Sequence, residues 1–191
     1  MSGFTVVIHF LVTLFFSLVL FLLWGRIFLR YFKISSLHPI SQSINSLVDP
    51  FIRPITNRLS AKTKRPSRYD LACFMLIIIV EIVKYIILSF LLYHTMMPLG
   101  YLILFVIVDL VVQPCNLLFY LILIRVIMSW VNPNWRNPLE EVIRAITNPI
   151  LAFGRSFIPV ISGIDFSPFI ILVILEVITL FMTASLPIRL V

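Results

Sequence analysis

Long apolar stretches alternate with shorter polar segments along the chain, and four of these stretches are long enough to cross a membrane. A helix needs roughly 20 consecutive apolar residues to span about 30 Å of hydrocarbon. Together with the residues that flank each stretch, the pattern predicts transmembrane helices at residues 4–32, 71–93, 98–131 and 166–187. We therefore expect an all-α bundle of four spans.

The first apolar stretch has a competing interpretation as a secretory signal peptide. No Lys or Arg precedes Phe4, the apolar run is longer than a signal peptide needs, and no small-residue cleavage site follows it. The run leads instead into a basic end at Arg26 and Arg30. We interpret it as the first transmembrane helix.

Composition agrees with a membrane location and excludes other classes of protein. Of the 191 residues, 61% are hydrophobic and 12% are charged, whereas about half and about a quarter are usual in soluble domains. A soluble fold of this length has too little interior to bury so much apolar surface. The presence of two cysteines in the whole chain excludes a secreted disulfide scaffold. The sequence is that of an integral membrane protein.

Basic residues are concentrated in the two long segments between spans, and the short turn after the second span has none. Because cytoplasmic loops are enriched in Lys and Arg, we expect both long loops in the cytoplasm and both termini outside. This bias accounts for most of the net charge of +7, so the charge indicates no nucleic-acid partner. The basic cluster Lys62–Arg68 would also suit anionic lipid head groups or a protein partner.

The chain contains an internal repeat. When residue 26 is aligned with residue 125, the two halves match without a gap over the next two dozen positions. The aligned pairs include Arg26 with Arg125, Tyr31 with Trp130, Pro39 with Pro138, Ile44 with Ile143 and Asp49 with Asn148. After a small shift, Asp70 aligns with Asp165 and Glu81 with Glu176. Each unit is a span, a loop with a helical segment and a second span, and we place the units at residues 1–95 and 96–191. Units that begin and end on one side of the membrane must repeat in parallel, unlike those of inverted-repeat transporters.

Each long loop contains apolar residues at helical spacing, in residues 40–55 and again in residues 139–150. A helix with one apolar face beside a span is expected to lie in the plane of the cytoplasmic membrane interface. Packing on another protein and a re-entrant path are the alternatives. Pro50 and Pro149 are expected to end or kink these helices.

The second repeat carries a specific set of residues, namely Arg125, Ser129-Trp130, Asn137-Pro138, Asn148-Pro149, Arg155, Pro159 and the run Gly163-Ile164-Asp165-Phe166-Ser167-Pro168. In this set it resembles the repeat of the YggT family of small bacterial membrane proteins, also called the YlmG family. The first repeat matches more loosely, and it reads KRPSRYDLAC where the family has a Gly-x-x-Asp-x-Ser stretch. If that stretch binds a ligand, the first repeat is not expected to do so.

The resemblance implies a four-span protein of the bacterial inner membrane with no accepted biochemical activity. Roles proposed within the family include tolerance of osmotic shock with potassium homeostasis, septum or nucleoid organisation, and cofactor attachment to membrane complexes. We accordingly expect a protein that supports osmotic-stress tolerance, ion homeostasis or cell-envelope organisation through partner contacts. The alternative is a component of an ion channel or transporter that uses intramembrane Glu and Asp residues.

Two acidic residues, Glu81 and Glu176, occupy equivalent positions inside predicted spans. An ionisable group in the hydrocarbon costs about 2.5–3.5 kcal/mol, so each is expected to have a partner or a function. Lys84 lies three residues after Glu81 on the same helix face, which predicts an intrahelical ion pair. We interpret the two acids as fastenings of the bundle, with a proton or cation relay as the functional alternative.

Glu176 has no basic residue at helical spacing on its own helix. Its candidate partners are Arg125 from the preceding span and, through a shared proton, Asp109 or Gln113. Arg26 and Arg125 lie close to the ends of their spans, so both are expected to extend their charged groups toward the lipid head groups.

Polar residues interrupt the third span at Asp109, Gln113 and Asn116, with Pro114 among them. Because proline lacks an N–H, it frees a carbonyl one turn earlier, which Asn116 or a neighbouring helix would satisfy. We expect this group to mark either a wet cavity or a packed kink.

The fourth span begins at a stretch typical of helix starts. Asp165 is a favoured residue for a helix N-cap, and Ser167 with the proline after it suits a first turn. We interpret the stretch as a cap and a tight re-entry into the membrane, with a docking site for a partner as the alternative. Asn148 and its following proline are likewise interpreted as turn-forming.

Catalytic chemistry has little support in the sequence. His9, His38 and His94 lie far apart, and Cys73 and Cys115 fall within spans. Zinc-ligand spacings, a Ser-His-Asp arrangement, a phosphate loop and a dinucleotide fingerprint are all missing. We expect no enzymatic activity, no cofactor and no metal. The expected partners are the lipid bilayer and other membrane proteins, including a second copy of the chain.

Overall fold

The computed structural model describes residues 3–59, 70–131, 137–157 and 165–186. The regular secondary structure of these residues is helical, with no strand among them. The helices are α1 (Gly3–Tyr31), α2 (Pro39–Leu59), α3 (Leu71–Tyr93), α4 (Leu99–Val131), α5 (Pro138–Phe157) and α6 (Ser167–Ala184). Helices α1, α3, α4 and α6 coincide with the predicted spans and are long and apolar enough to cross a membrane. The expected helical fold is confirmed, with four helices at the positions of the predicted spans.

The outward faces of the four long helices are apolar. Phe10 on α1 is 61% exposed, and Phe181 on α6 is 70% exposed. Soluble proteins rarely expose contiguous apolar surface on this scale. Such faces suit contact with lipid tails.

Each half of the chain forms a pair of long helices. Helix α1 packs on α3, helix α4 packs on α6, and α3 with α4 brings the two pairs together. Leu20 and Ile77 are fully buried in the first pair, while Ile122 and Leu175 are buried in the second. Because lipid tails are as apolar as leucine, such cores depend on close van der Waals contact more than on the hydrophobic effect.

The helices of the long loops, α2 and α5, direct buried apolar residues toward the long helices. Val48 and Ile52 of α2 lie in the core of the first pair. Val142 and Ile146 of α5 pack against Leu29 of α1. Part of the apolar stripe in each loop is therefore used for contacts within the chain.

Proline does not end either of these helices. Helix α2 continues through Pro50 and helix α5 through Pro149, so of the two expected outcomes, a helix end and a kink, the helix end does not occur. Proline removes the hydrogen bond to the carbonyl four residues earlier. Both prolines lie on exposed faces, where groups outside the protein can satisfy the freed carbonyl.

A glycine allows α5 to pack closely against the start of α6. A Cβ at Gly154 would lie 3.0 Å from Cγ1 of Ile171 and 3.2 Å from Cβ of Ser167. Carbon atoms in favourable contact lie about 3.5–4.0 Å apart. The missing side chain therefore sets the distance between these helices, as small residues often do in membrane proteins.

Candidate functional site

A cluster of charged and polar side chains joins α3 to α4 within the predicted spans. The Nζ of Lys84 lies 2.8 Å from Oε2 of Glu81 and also contacts the carboxylate of Asp109. The hydroxyl of Tyr85 donates a 2.6 Å hydrogen bond to Oδ2 of Asp109. Nε2 of Gln113 donates a 2.8 Å hydrogen bond to Oε1 of Glu81. We call these five residues the charge cluster, and it connects the first repeat to the second.

The charge cluster is buried, with the side chains of Glu81, Lys84 and Asp109 exposed by 0%, 6% and 14%. The predicted ion pair between Glu81 and Lys84 is present, and Lys84 also pairs with Asp109 on the other helix. A buried charge is costly unless it is paired and hydrogen-bonded. These contacts therefore agree with the interpretation of Glu81 as a fastening of the bundle.

A cavity of about 810 Å³ lies beside the charge cluster. Its wall is formed by α1, α3, α4 and α6, and its polar lining includes Thr13, Ser17, Asp109, Gln113, Asn116 and Thr179. Within the described residues, no Cα atom of α1 lies within 8 Å of a Cα atom of α6. The cavity therefore separates the first long helix from the last.

The polar residues of α4 line this cavity and do not break the helix. Helix α4 continues through Pro114, and Asp109, Gln113 and Asn116 contribute to the cavity wall. Oδ1 of Asn116 accepts a 3.5 Å hydrogen bond from the Thr179 hydroxyl on α6. The sequence predicts either a cavity or a packed kink at these polar residues, and in the structure they line a cavity.

Glu176 lies on the exposed side of α6, outside the charge cluster. Among the residues described, none forms a hydrogen bond or an ion pair with it. Arg125 bonds instead to α5, and Asp109 and Gln113 belong to the charge cluster. The predicted pairing of Glu176 with one of these three residues is wrong, because α6 turns this position away from α4.

Arg26 is buried between acidic residues. Its Nε lies 3.0 Å from Oδ2 of Asp70, and its Nη1 contacts the carboxylate of Asp49 on α2. Nη1 of Arg30 reaches the same Asp70 oxygen at 2.9 Å, while the other oxygen accepts a hydrogen bond from the backbone of Cys73. The expectation that Arg26 extends to the head groups is wrong, since carboxylates within the protein compensate its charge.

Arg125 aligns with Arg26 but has no carboxylate partner. Its Nη1 donates a 2.7 Å hydrogen bond to Oγ1 of Thr147 on α5. All eight acidic residues lie in the described part of the chain, and none forms an ion pair with Arg125. Asn148, which aligns with Asp49, is exposed in the interior of α5. The interpretation of Asn148 as a turn residue is therefore wrong.

Asp165 connects the end of α5 to the start of α6. One oxygen lies 2.7 Å from Nη2 of Arg155, and the other accepts a 2.9 Å hydrogen bond from the backbone N–H of Ser167. Burial acts to raise the pKa of the Asp165 carboxyl, but hydrogen bonds from Ser167 and Arg155 outweigh it and hold the pKa below its ordinary value. The expectation of Asp165 as the N-cap is wrong by one residue, since Phe166 is the N-cap, but the Asp165 carboxylate still accepts a backbone N–H at the start of α6.

These groups supply charge and hydrogen bonding. In the part of the chain that the structure describes, no three His, Cys, Asp or Glu side chains are grouped to hold a metal ion. The charge cluster beside the cavity is suited to a proton, a cation or the polar groups of another molecule. Arg125 adds a positive charge that forms no ion pair with an acidic side chain.

Sequence reasoning missed most of the partners that lie on other helices. The sequence predicts no partner for Asp49, yet Asp49 binds Arg26, and it predicts no role for Tyr85 or Thr147. The repeat alignment contains a signal that distinguishes the two repeats. Both repeats have an arginine, Arg26 or Arg125, but acidic Asp49 in the first aligns with neutral Asn148 in the second. The predicted basic cluster at residues 62–68 and the turn at residues 163–164 lie outside the described residues.

Comparison with known proteins places the chain beside several small proteins of bacteria. A family model described as CCB3/YggT matches residues 5–91 and again residues 101–186. A protein of Escherichia coli K12 named uncharacterized protein YggT is 31% identical over 155 residues, covering 81% of this chain and 78% of the relative. A Vibrio alginolyticus protein, described as an uncharacterized protein in the proC 3′ region, is 28% identical over 168 residues, covering 87% and 88%. No solved structure matches the chain.

Proposed function

Because this chain belongs to the CCB3/YggT family, we propose that it is a non-enzymatic protein of the bacterial inner membrane that binds other membrane proteins or a second copy of itself. Through these contacts it supports osmotic-stress tolerance, ion homeostasis or cell-envelope organisation. In this proposal the two repeats lie parallel, and both termini are outside. The long loops, with α2 and α5 in the membrane interface, face the cytoplasm.

The observation that carries the proposal is the exposure of Glu176 within α6. It lies nine residues after Ser167, where α6 begins, which is about 13 Å along a helix axis. A carboxyl group at that depth faces hydrocarbon and costs about 2.5–3.5 kcal/mol without a partner. The described residues supply no partner, so a hydrogen-bonding or basic side chain of another chain would reduce this cost.

The surface around Glu176 suits contact with another helix. Val173, Val177 and Leu180 are 46%, 58% and 57% exposed and lie within one turn of it. Polar side chains within apolar helix faces promote association of transmembrane helices through interhelical hydrogen bonds. An apolar face with Glu176 at its centre therefore supports binding to a second transmembrane helix.

The proposal is tested by photo-crosslinking in the intact membrane. A photoreactive residue at Val177 is expected to give a defined adduct, and the same residue at Phe10 on the exposed face of α1 is the control. Glu176→Leu should abolish the adduct, and Glu176→Gln, which keeps hydrogen bonding, should retain part of it. An adduct with the mass of two copies identifies self-association, and mass spectrometry identifies any other partner. No adduct at Val177, or an adduct unchanged by Glu176→Leu, would contradict the proposal.

Ion handling is the second candidate function, and the charge cluster beside the cavity favours it. Asp109 contributes to the cavity wall and pairs with Lys84. Buried ionisable groups at a polar cavity are typical of proton and cation pathways in membrane proteins.

Ion flux into liposomes that contain the purified protein separates the two functions. If the cluster conducts, Asp109→Asn should abolish the flux while Glu176→Gln, which lies outside the cavity lining, leaves it unchanged. No flux above that of protein-free liposomes would exclude this alternative. A flux that is equal in wild type and Asp109→Asn would exclude a role for the cluster in it.

A further inference from the structure

The two repeats differ in how they neutralise equivalent arginines. In the first repeat Arg26 contacts two carboxylates, those of Asp49 and Asp70. In the second repeat, the described residues give Arg125 no carboxylate contact and one hydrogen bond, to the hydroxyl group of Thr147. An arginine at the edge of the hydrocarbon is therefore compensated within the protein in one repeat and left uncompensated in the other.

Asp165 and the acidic residues of α5 already have other partners. Asp165 lies 2.7 Å from Arg155, and Glu140 lies 2.5 Å from Arg144. The exposed Glu141 lies 3.6 Å from Nε2 of His38. Asn148, at the position that is acidic in the first repeat, is neutral. Arg125 is therefore left without an ion-pair partner.

A second cavity, of about 190 Å³, opens beside this uncompensated charge, between the end of α4 and the start of α5. Arg125 and Ser129 line it from α4, and Glu140 and Arg144 line it from α5. A guanidinium has five N–H donors, and the hydrogen bond to Thr147 uses one of those of Arg125. The cavity therefore offers several donors and more positive than negative charge.

The depth of this cavity corresponds to the boundary between hydrocarbon and head groups. Helix α4 has 33 residues, about 50 Å in length, and so extends about 10 Å beyond each side of a 30 Å hydrocarbon layer when centred in it. Arg125 lies six residues before Val131, where α4 ends, or about 9 Å along the axis. The free guanidinium donors are therefore at the level where phospholipid phosphates begin.

We propose that the cavity between α4 and α5 binds a phosphate group, supplied by the head group of an anionic phospholipid. Arg125 donates hydrogen bonds to the phosphate oxygens, and Arg144 and Ser129 lie on the wall within the same cavity. Guanidinium groups match phosphate geometry, and basic pockets between helices at this depth are typical head-group sites. A zwitterionic lipid is a weaker ligand because its own cationic group already neutralises the phosphate.

The proposal is tested by native mass spectrometry of the purified full chain in detergent, titrated with phosphatidylglycerol or with phosphatidylcholine of the same acyl chains. Arg125→Gln removes the charge. Asn148→Asp introduces the carboxylate of the aligned position in the first repeat, directly after Thr147, which binds the unchanged Arg125. Arg53→Gln removes one exposed positive charge from α2 and is the control.

The wild type should bind phosphatidylglycerol more tightly than phosphatidylcholine. Arg125→Gln and Asn148→Asp should each weaken phosphatidylglycerol binding roughly tenfold, the scale of one lost charge-assisted hydrogen bond, while Arg53→Gln binds as wild type does. If Arg125→Gln fails to fold, Asn148→Asp still decides the question.

Equal binding of the two lipids by the wild type would overturn the proposal, as would tight phosphatidylglycerol binding by either variant. Inorganic phosphate is added as a competitor in a separate arm. Displacement of the lipid at millimolar phosphate would assign the cavity to soluble phosphate, whereas lipid binding that resists phosphate assigns it to the head group.

Discussion

Nε of Arg26 lies 3.0 Å from Oδ2 of Asp70, and this ion pair fixes the end of α1 to the start of α3. The two side chains are 7% and 3% exposed. Asp70 is also the N-cap residue of α3, where its second oxygen accepts the backbone N–H of Cys73. One carboxylate therefore ends the first loop, begins the second long helix and neutralises a buried arginine.

Substitution of Asp70 tests the contribution of this carboxylate to stability. Asn keeps the size and the capping ability of Asp, so Asp70→Asn removes mainly the charge that compensates Arg26 and Arg30. Because buried Arg26 loses one of its two carboxylate partners and keeps Asp49, we expect the free energy of unfolding to fall by about 2 kcal/mol. Denaturant titration of the purified protein in detergent measures this change.

The matched control is Asp165→Asn, at the aligned position of the second repeat. Asp165 and Arg155 are 29% and 48% exposed, and exposed pairs contribute no more than about 1 kcal/mol. Equal losses for the two substitutions would show that the burial of the first pair has no energetic consequence.

The lowered pKa of Asp165 predicts how the contribution of this carboxylate to the stability of the fold depends on pH. A carboxyl with a lower pKa in the folded state stabilises the fold at any pH above its unfolded value, about 3.9. That contribution is lost only as the pH falls through the lowered folded pKa. The difference in thermal unfolding temperature between wild type and Asp165→Asn should thus stay constant from about pH 8 to pH 5 and disappear in stronger acid. A difference that already fades between those two pH values would contradict the assignment.

Removal of Lys84 should be more damaging than removal of the whole ionic group. Lys84→Met leaves Glu81 and Asp109 buried without a cation, so we expect a loss of about 3–5 kcal/mol in the free energy of unfolding. The triple variant Glu81→Gln, Lys84→Met, Asp109→Asn leaves no charge behind and should recover much of this loss. Membrane accumulation and unfolding in detergent measure both variants. A triple variant less stable than Lys84→Met would contradict the fastening interpretation.

Gly154→Ala tests the close approach of α5 to α6. The added Cβ would lie 3.0 Å from Ile171 and 3.2 Å from Ser167, and overpacking of this kind costs about 1–3 kcal/mol. Gly100→Ala in α4 is the control, because no atom lies within 4 Å of the added Cβ, and alanine should stabilise the helix there by about 0.4–1 kcal/mol. The thermal unfolding temperature should fall for the first variant and rise slightly for the second. A rise for both would show that α5 moves away from α6 at no cost.

The sequence predicts the features of this fold that depend on neighbours along the chain. Span length and hydropathy locate α1, α3, α4 and α6, since the hydrocarbon thickness sets a minimum length for each. The spacing of Glu81 and Lys84 predicts their ion pair because it lies within one helix turn. Asp165 at the start of α6 follows from the same local rule.

Contacts between helices are not predicted, and the reason is physical. In a soluble helix the polar side marks the outside, but both the lipid-facing and the buried sides of α4 and α6 are apolar. The sequence therefore does not distinguish the side of α6 that packs on α4 from the side that bears Glu176. The same ambiguity hides the contact of Lys84 with Asp109 and that of Arg26 with Asp49.

The prolines of α2 and α5 show a different limit. Proline costs about 3 kcal/mol in a helix interior, which makes a helix end the simplest expectation at Pro50 and Pro149. The structure keeps both helices intact, since buried residues on either side, such as Val48 and Ile52, anchor the helix to the bundle. Tertiary packing overrides local propensity here.

The ion pair between Lys84 and Asp109 has a consequence for how the two halves of the molecule identify each other. Lys84 belongs to the first half and Asp109 to the second, and only five residues, 94 to 98, link α3 to α4. If the halves were synthesised as separate polypeptides, the first would carry Lys84 beside Glu81 on this face, and the second would carry Asp109 without a cation of its own. Two copies of the second half would bring two Asp109 carboxylates together, whereas the first half offers Lys84 to that carboxylate, so the charge cluster favours pairing of the two unlike halves in assembly from fragments.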